Sequence, residues 1–238
     1  MTIEFFEEMA MLTQTMITRK SSQHPATRVE RRVPANTVSL GNSIAMGALM
    51  PFARNVEIYG EGELADYLYK VVSGAIRTYK VLNDGRRQIG SFYLPGDIFG
   101  LEVGGEHTFS AEAVADSKVL VIRRSAVAAL AGRNKEVARQ LWTMTAAELQ
   151  RAQDHIMLLI KTAQERVAGF LLEMAARNPS ASEVDLPMSR QDIADYLGLT
   201  IETVSRMMTQ LENSGVIAVP TSRHIVLRSR GALNRMNA

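Results

Sequence analysis

The chain has 238 residues, 46% of them hydrophobic and 22% charged, an ordinary balance for one to two domains with a buried core. It has no cysteine, which excludes disulfides, thiolate catalysis, cysteine-ligated zinc and cysteine-held iron–sulfur clusters. The net charge is only +2, so a nucleic-acid partner must be read from where the charge lies rather than from its sum.

Glu4, Glu7 and Glu8 stand where a secretory leader needs positive charge. The charge-free run between Arg32 and Arg54 contains Pro34, Gly41, Gly47 and Pro51, which interrupt any continuous membrane-spanning helix. A soluble, cytoplasmic protein with no membrane partner is expected. Residues 1–18 read as a short amphipathic helix with Phe5, Met9, Leu12 and Met16 on one face, and the polar stretch to Asn36 as an arm. No chemistry is assigned to residues 1–36.

From about Glu57 to Ile122, within a domain bounded at 37–134, the texture becomes short β-type runs broken by glycine. Ala75–Leu82 and Gln88–Leu94 flank Asn83-Asp84-Gly85, a strong hairpin signal, and the spacing predicts an all-β roll or sandwich. The period then turns helical. Residues 135–174 carry almost no breakers, and Leu141, Leu149, Ala152, Ile156, Leu159 and Ala163 form an apolar stripe with Thr145 as its polar member. A helix this long outruns a small roll, so residues 135–163 are expected to pair with the same helix of a second copy; packing against the roll is the alternative.

Residues 164–238 read as helix, turn, helix and two strands, Ile217–Val219 and Ile225–Leu227. Ser189 with Asp192 three residues on makes a capping-box start. Ile193, Ala194 and Leu197 supply the first helix's buried face, and Gly198 allows the turn. Thr200 caps a second helix that runs to Asn213 and stops at Gly215. At about 100° per residue, Ser205, Arg206 and Thr209 lie within about 60° of Glu202, with Ile201, Val204, Met208 and Leu211 on the other side. Arg206 suits guanine O6 and N7, Glu202 an exocyclic amino group, and Ser205 either role. Ser189, Arg190, Thr200, Thr203, Thr209, Arg223 and His224 are assigned supporting or phosphate contacts. The competing reading is a solvated face with a Glu202–Arg206 pair at i,i+4. Residues 203–238 carry five arginines against Glu212 alone, whereas residues 164–238 balance eight against eight, so positive charge gathers at this helix and the strands after it.

The segments GELADYLYKVVSGAIRTYKVLNDGRRQIGSFYLPGDIFG and MSRQDIADYLGLTIETVSRMMTQLENSGVIAV, with the long helix between them, resemble the CRP/FNR family of bacterial transcription regulators. The likeness covers about residues 55–230 and is greatest to the FNR/FixK side. It implies an α+β chain: an N-terminal β-roll like a cyclic-nucleotide-binding jelly roll, a dimerisation helix and a C-terminal winged helix-turn-helix. It also implies a homodimer on palindromes of TTGAT-N4-ATCAA type, read by Glu202, Ser205 and Arg206, that recruits RNA polymerase at microaerobic or nitrogen-fixation genes.

Cyclic-nucleotide members of the family hold phosphate with an arginine followed by serine or threonine. Residues 101–115 have no arginine, carry Glu102, Glu106 and Glu112, and place His107 and Thr108 about where that pair would stand. Cyclic AMP is therefore not expected. The iron–sulfur cysteines of oxygen-sensing members are missing, and His24, His107, His155 and His224 show no ligand spacing. No cofactor and no metal are expected, as the resemblance implies for the FixK branch. Met46, Met50, Met144, Met157, Met174, Met207 and Met208 read as core packing rather than redox sensors. No nucleophile–base set or P-loop supports an enzyme. An effector-gated regulator, or a repressor, is the alternative.

Overall fold

The computed structural model describes residues 36–40, 43–178 and 182–237. The helix expected over 1–18 and the arm as far as residue 35 lie outside these residues, while Asn36, assigned to the arm, begins the first strand.

Nine strands form two antiparallel sheets: β1 Asn36–Leu40, β2 Ser43–Phe52, β3 Glu57–Tyr59, β4 Tyr67–Ser73, β5 Ile76–Val81, β6 Arg87–Tyr93, β7 Ile98–Phe99, β8 Ser110–Ala113 and β9 Ser117–Arg123. One sheet runs β1-β2-β9-β4-β7 and the other β3-β8-β5-β6. Their inner faces close on one core, with Phe52, Tyr69, Val71, Phe99 and Val119 from the first meeting Tyr59, Ile76, Tyr93, Ala111 and Ala113 from the second. Strand alternation decides this. In β4, Tyr69 and Val71 point inward, while Leu68 points to the opposite face and packs with Ile98, Leu120 and Ile122. The expected hairpin is β5–β6, closed at Leu82–Arg86, with Gly85 at φ +83°, a conformation that favours glycine.

Six helices follow: α1 Arg124–Ala131, α2 Lys135–Leu159, α3 Ala163–Ala176, α4 Arg190–Leu197, α5 Ile201–Asn213 and α6 Arg230–Asn237. Val127 of α1 and Leu141 and Met144 of α2 cover the outer face of the five-stranded sheet. The uninterrupted helical run expected from 135 to 174 is corrected here. It breaks at 160–162, because Thr162 and Glu165 form a capping box that starts α3, and Ala163 belongs to α3.

The two strands expected at the C-terminal end are joined by a third. β10 Glu183–Asp185 pairs with β12 His224–Leu227, which also pairs with β11 Ile217–Ala218. The terminal helix α6 was not expected either; it buries Leu233 against α3. Gly169 permits that approach, since a Cβ there would stand 2.8 Å from Asn237 Oδ1 of α6.

Candidate DNA-reading surface

The start of α4 is held by one reciprocal pair. The Ser189 hydroxyl accepts from the Asp192 N–H at 3.1 Å, and Asp192 Oδ2 accepts from the Ser189 N–H at 3.0 Å. Ile193, Ala194 and Leu197 are buried beneath it. Gly198 at φ +61° ends the helix, and the Leu199 N–H donates back to the Ala194 carbonyl, which turns the chain. Thr200 Oγ1 then accepts from the Thr203 N–H at 3.2 Å and starts α5.

On α5, Val204, Met207, Met208 and Leu211 are buried, and Glu202, Ser205, Arg206 and Thr209 are exposed. The apolar face differs from expectation at one position. Ile201 is 37% exposed and Met207 takes its place, because the two flank Val204 by about 60° on opposite sides and the core lies on the Met207 side. The Glu202–Arg206 ion pair that i,i+4 spacing permits is absent, and among the described residues neither side chain has an ion-pair partner. The Glu202 carboxyl is held below the usual carboxylate range by its own backbone N–H in the first turn and by the Thr200 hydroxyl. The face therefore presents a carboxylate, a hydroxyl and a guanidinium.

The supporting residues divide. Ser189 and Thr200 use their hydroxyls as caps, Thr203 and Thr200 share a 3.2 Å hydroxyl contact, and the Thr209 hydroxyl donates to the Ser205 carbonyl at 3.1 Å. Arg190 is half-buried in a shallow pocket with Ser205, Met208, Thr209, Glu212 and Val219; its Nη1 is buried without a hydrogen-bond partner, and burial pulls its pKa down against the opposing charge of Glu212. Arg223 is exposed in the β11–β12 connection. His224 donates from Nδ1 to Asp185 Oδ1 at 2.8 Å, tying the β12 end to β10.

The six residues of the α2 stripe also divide. Leu149, Ala152 and Ile156 are exposed. Leu141 packs against the roll, Leu159 lies half-buried with its side chain 3.8 Å from where a Gly198 Cβ would stand, and Ala163 packs on the C-terminal core. Sequence reading missed Trp142, 76% exposed, and Ile160, 73% exposed. With Leu149 and Ile156 they lie within about 40° of one line, so the open apolar face is rotated from the expected stripe. The signal was the chain's single tryptophan. Met174, Met207 and Met208 are buried as expected, whereas Met157 is 56% exposed.

Within the roll, His107 is buried and stacks on Tyr59 at 3.5 Å between centroids, with Nδ1 3.5 Å from Glu102; burial lowers its pKa despite that carboxylate. The nearby Arg124 guanidinium is used by the carbonyls of Ala65 and Gly104, at 2.8 and 3.0 Å, and of Glu102. Among the described residues no cluster of three or more metal-ligating side chains forms, and no helix is long and apolar enough to cross a membrane.

Comparison with known proteins agrees with this geometry. Residues 165–236 match the Crp-like helix-turn-helix domain and residues 49–134 the cyclic nucleotide-binding domain. The chain is 52% identical over 200 residues to the nitrogen fixation regulation protein FixK of Azorhizobium caulinodans, covering 82% of this chain and 81% of that protein. It is 33% identical over 193 residues to the fumarate and nitrate reduction regulatory protein of Escherichia coli K12, covering 78% and 77%. The solved structure of FixK2 from Bradyrhizobium japonicum superposes with a TM-score of 0.77 at 53% identity, over 81% of this chain and 98% of that one. The roll has the cyclic nucleotide-binding fold, but its residues do not fit a nucleotide phosphate. Residues 101–115 offer carboxylates and no arginine, and Arg124 is spent on backbone carbonyls.

Proposed function

This chain belongs to the CRP/FNR family of transcription regulators, a family of DNA-binding proteins and not enzymes, and we propose that it works as a homodimeric activator needing no bound cofactor. Each protomer lays α5 in the major groove of one half-site of a TTGAT-N4-ATCAA-like palindrome. Arg206 reads the guanine, Glu202 and Ser205 read neighbouring base edges, and Arg223 and Arg190 reach toward phosphates. The second protomer pairs through the α2 face of Trp142, Leu149, Ile156 and Ile160. Once bound, the dimer recruits RNA polymerase in the cytoplasm, at genes of nitrogen fixation or microaerobic metabolism, a role taken from the names of its relatives.

The observation that carries this reading is the row of exposed, ion-pair-free Glu202, Ser205 and Arg206 on a helix fixed from behind by four buried side chains. Purified, ligand-free protein is titrated at about 150 mM salt onto the palindrome and onto a duplex with both half-site guanines changed. Tight binding to the first and weak binding to the second is expected. Equal binding to both would reject the reading, and selectivity that appears only with an added small molecule would reject cofactor independence.

A further inference from the structure

The hairpin β5–β6 carries two arginines that leave the roll and grip α4. Arg77 donates from Nη1 to Asp192 Oδ1 at 2.9 Å and from Nη2 to Glu112 Oε1 of β8 at 2.7 Å. Arg87 donates from Nη2 to the same Asp192 Oδ1 at 2.6 Å and from Nε to Asp195 Oδ2 at 2.8 Å. Four of these five side chains are nearly out of solvent: Arg77 is 8% exposed, Asp192 5%, Asp195 12% and Glu112 14%. The two oxygens of Asp192 are thus divided. Oδ2 closes the capping box with Ser189, and Oδ1 receives both guanidiniums. Burial pushes the Asp192 carboxyl up, but the Ser189 N–H and hydroxyl and the two arginines outweigh it and hold it below the usual carboxylate range.

The other end of α4 is gripped as well. The Tyr196 carbonyl accepts from Gln88 of the same hairpin at 3.3 Å and from His155 of α2 at 2.8 Å, and the His155 ring stacks on Tyr196. Between the two ends, Phe92 of β6 meets Tyr196 and Phe170, ring to ring. With α4 held in this way, the recognition face of α5 remains exposed. The seam supports that face without masking it.

We propose that Arg77 and Arg87 are positioning residues for DNA reading: through Asp192 and Asp195 they fix the angle at which the roll presents α4, and with it α5, to the groove. This rests on the DNA-reading role of α5 proposed above. Two half-sites at fixed spacing require two recognition helices at a fixed angle. A carboxylate shared by the cap and two guanidiniums leaves α4 little freedom to swing.

The test measures affinity for the palindrome in the full-length wild type, in Arg87→Asp, in Asp195→Arg and in the double variant, across a series of salt concentrations. Each single change is expected to weaken binding by tenfold or more and the double change to recover the greater part. The slope of log K against log salt should stay that of the wild type, because these residues meet no phosphate. Since the chain has no cysteine, Arg87→Cys with Asp195→Cys, joined by a short bismaleimide, gives a second arm; joined protein should bind more tightly than unjoined. Single variants that bind like the wild type, or more tightly, would overturn the proposal. So would a reduced salt slope, which would make Arg87 a phosphate contact, or a joined seam that binds no better. A wild type without sequence selectivity would instead reject the DNA-reading role itself.

Discussion

The face of α5 and the seam beneath α4 use the same chemistry to opposite ends. On α5 a carboxylate and a guanidinium one helical turn apart stay exposed and, among the described residues, without an ion-pair partner. At the seam, the carboxylates of Asp192, Asp195 and Glu112 pair with the guanidiniums of Arg77 and Arg87, largely out of water. The open groups contribute little to stability, because water already solvates them, and remain available for a partner. The closed groups are committed: removing one strands the others in a poor solvent. Charged residues in these two regions are therefore sorted by exposure into those left open to a partner and those that hold the fold.

Substitutions on the two sides separate these roles. Asp192→Ala removes the carboxylate half of the capping box and the shared partner of two arginines, and should cost about 3–5 kcal/mol of unfolding free energy in urea titrations. A neutral result would mean the seam is not closed in solution. Ser189→Ala removes only the cap hydroxyl and should cost about 1 kcal/mol in the same titration.

A change of pH should act on the seam next. Burial holds the His155 imidazole below its usual pKa, so the unfolded chain binds the proton more readily than the folded one. That stability is present above the unfolded value of about 6.5 and lost as pH falls through it. Moving from pH 7.5 to 5.5 should lower the urea midpoint, and His155→Gln should lower it less on the same shift. His107, buried and also depressed, adds a loss of the same sign in both proteins. The smallest effect on folding belongs to the open α2 face. Ile156→Lys should leave the protomer within about 0.5 kcal/mol of the wild type while shifting sedimentation from dimer toward monomer.

What the sequence revealed follows from how local each cause is. The Ser189 cap, the Gly198 turn, the Thr200 cap and the Gly85 hairpin each depend on residues within five positions, and each was readable. The Thr162–Glu165 box was equally local but lay inside a strong apolar period that masked it. Strand β10 and helix α6 exist because of distant partners, β12 and α3, and a short polar segment carries no sign of either. The seam was out of reach for the same reason: Arg77 and Asp192 are 115 positions apart. That Glu202, Ser205 and Arg206 share one exposed face was legible because a helix face is defined by period alone. The open face of α2 was misplaced because the period shows where apolar residues recur but not which of them the roll already covers.

The most direct test compares wild type and Arg206→Ala on the palindrome and on its guanine-substituted partner, with unfolding stability measured alongside. Arg206→Ala is expected to lose roughly 1–3 kcal/mol of binding on the palindrome, to stop distinguishing the two duplexes at the guanine, and to unfold like the wild type. Undiminished discrimination at the guanine by Arg206→Ala would contradict this expectation.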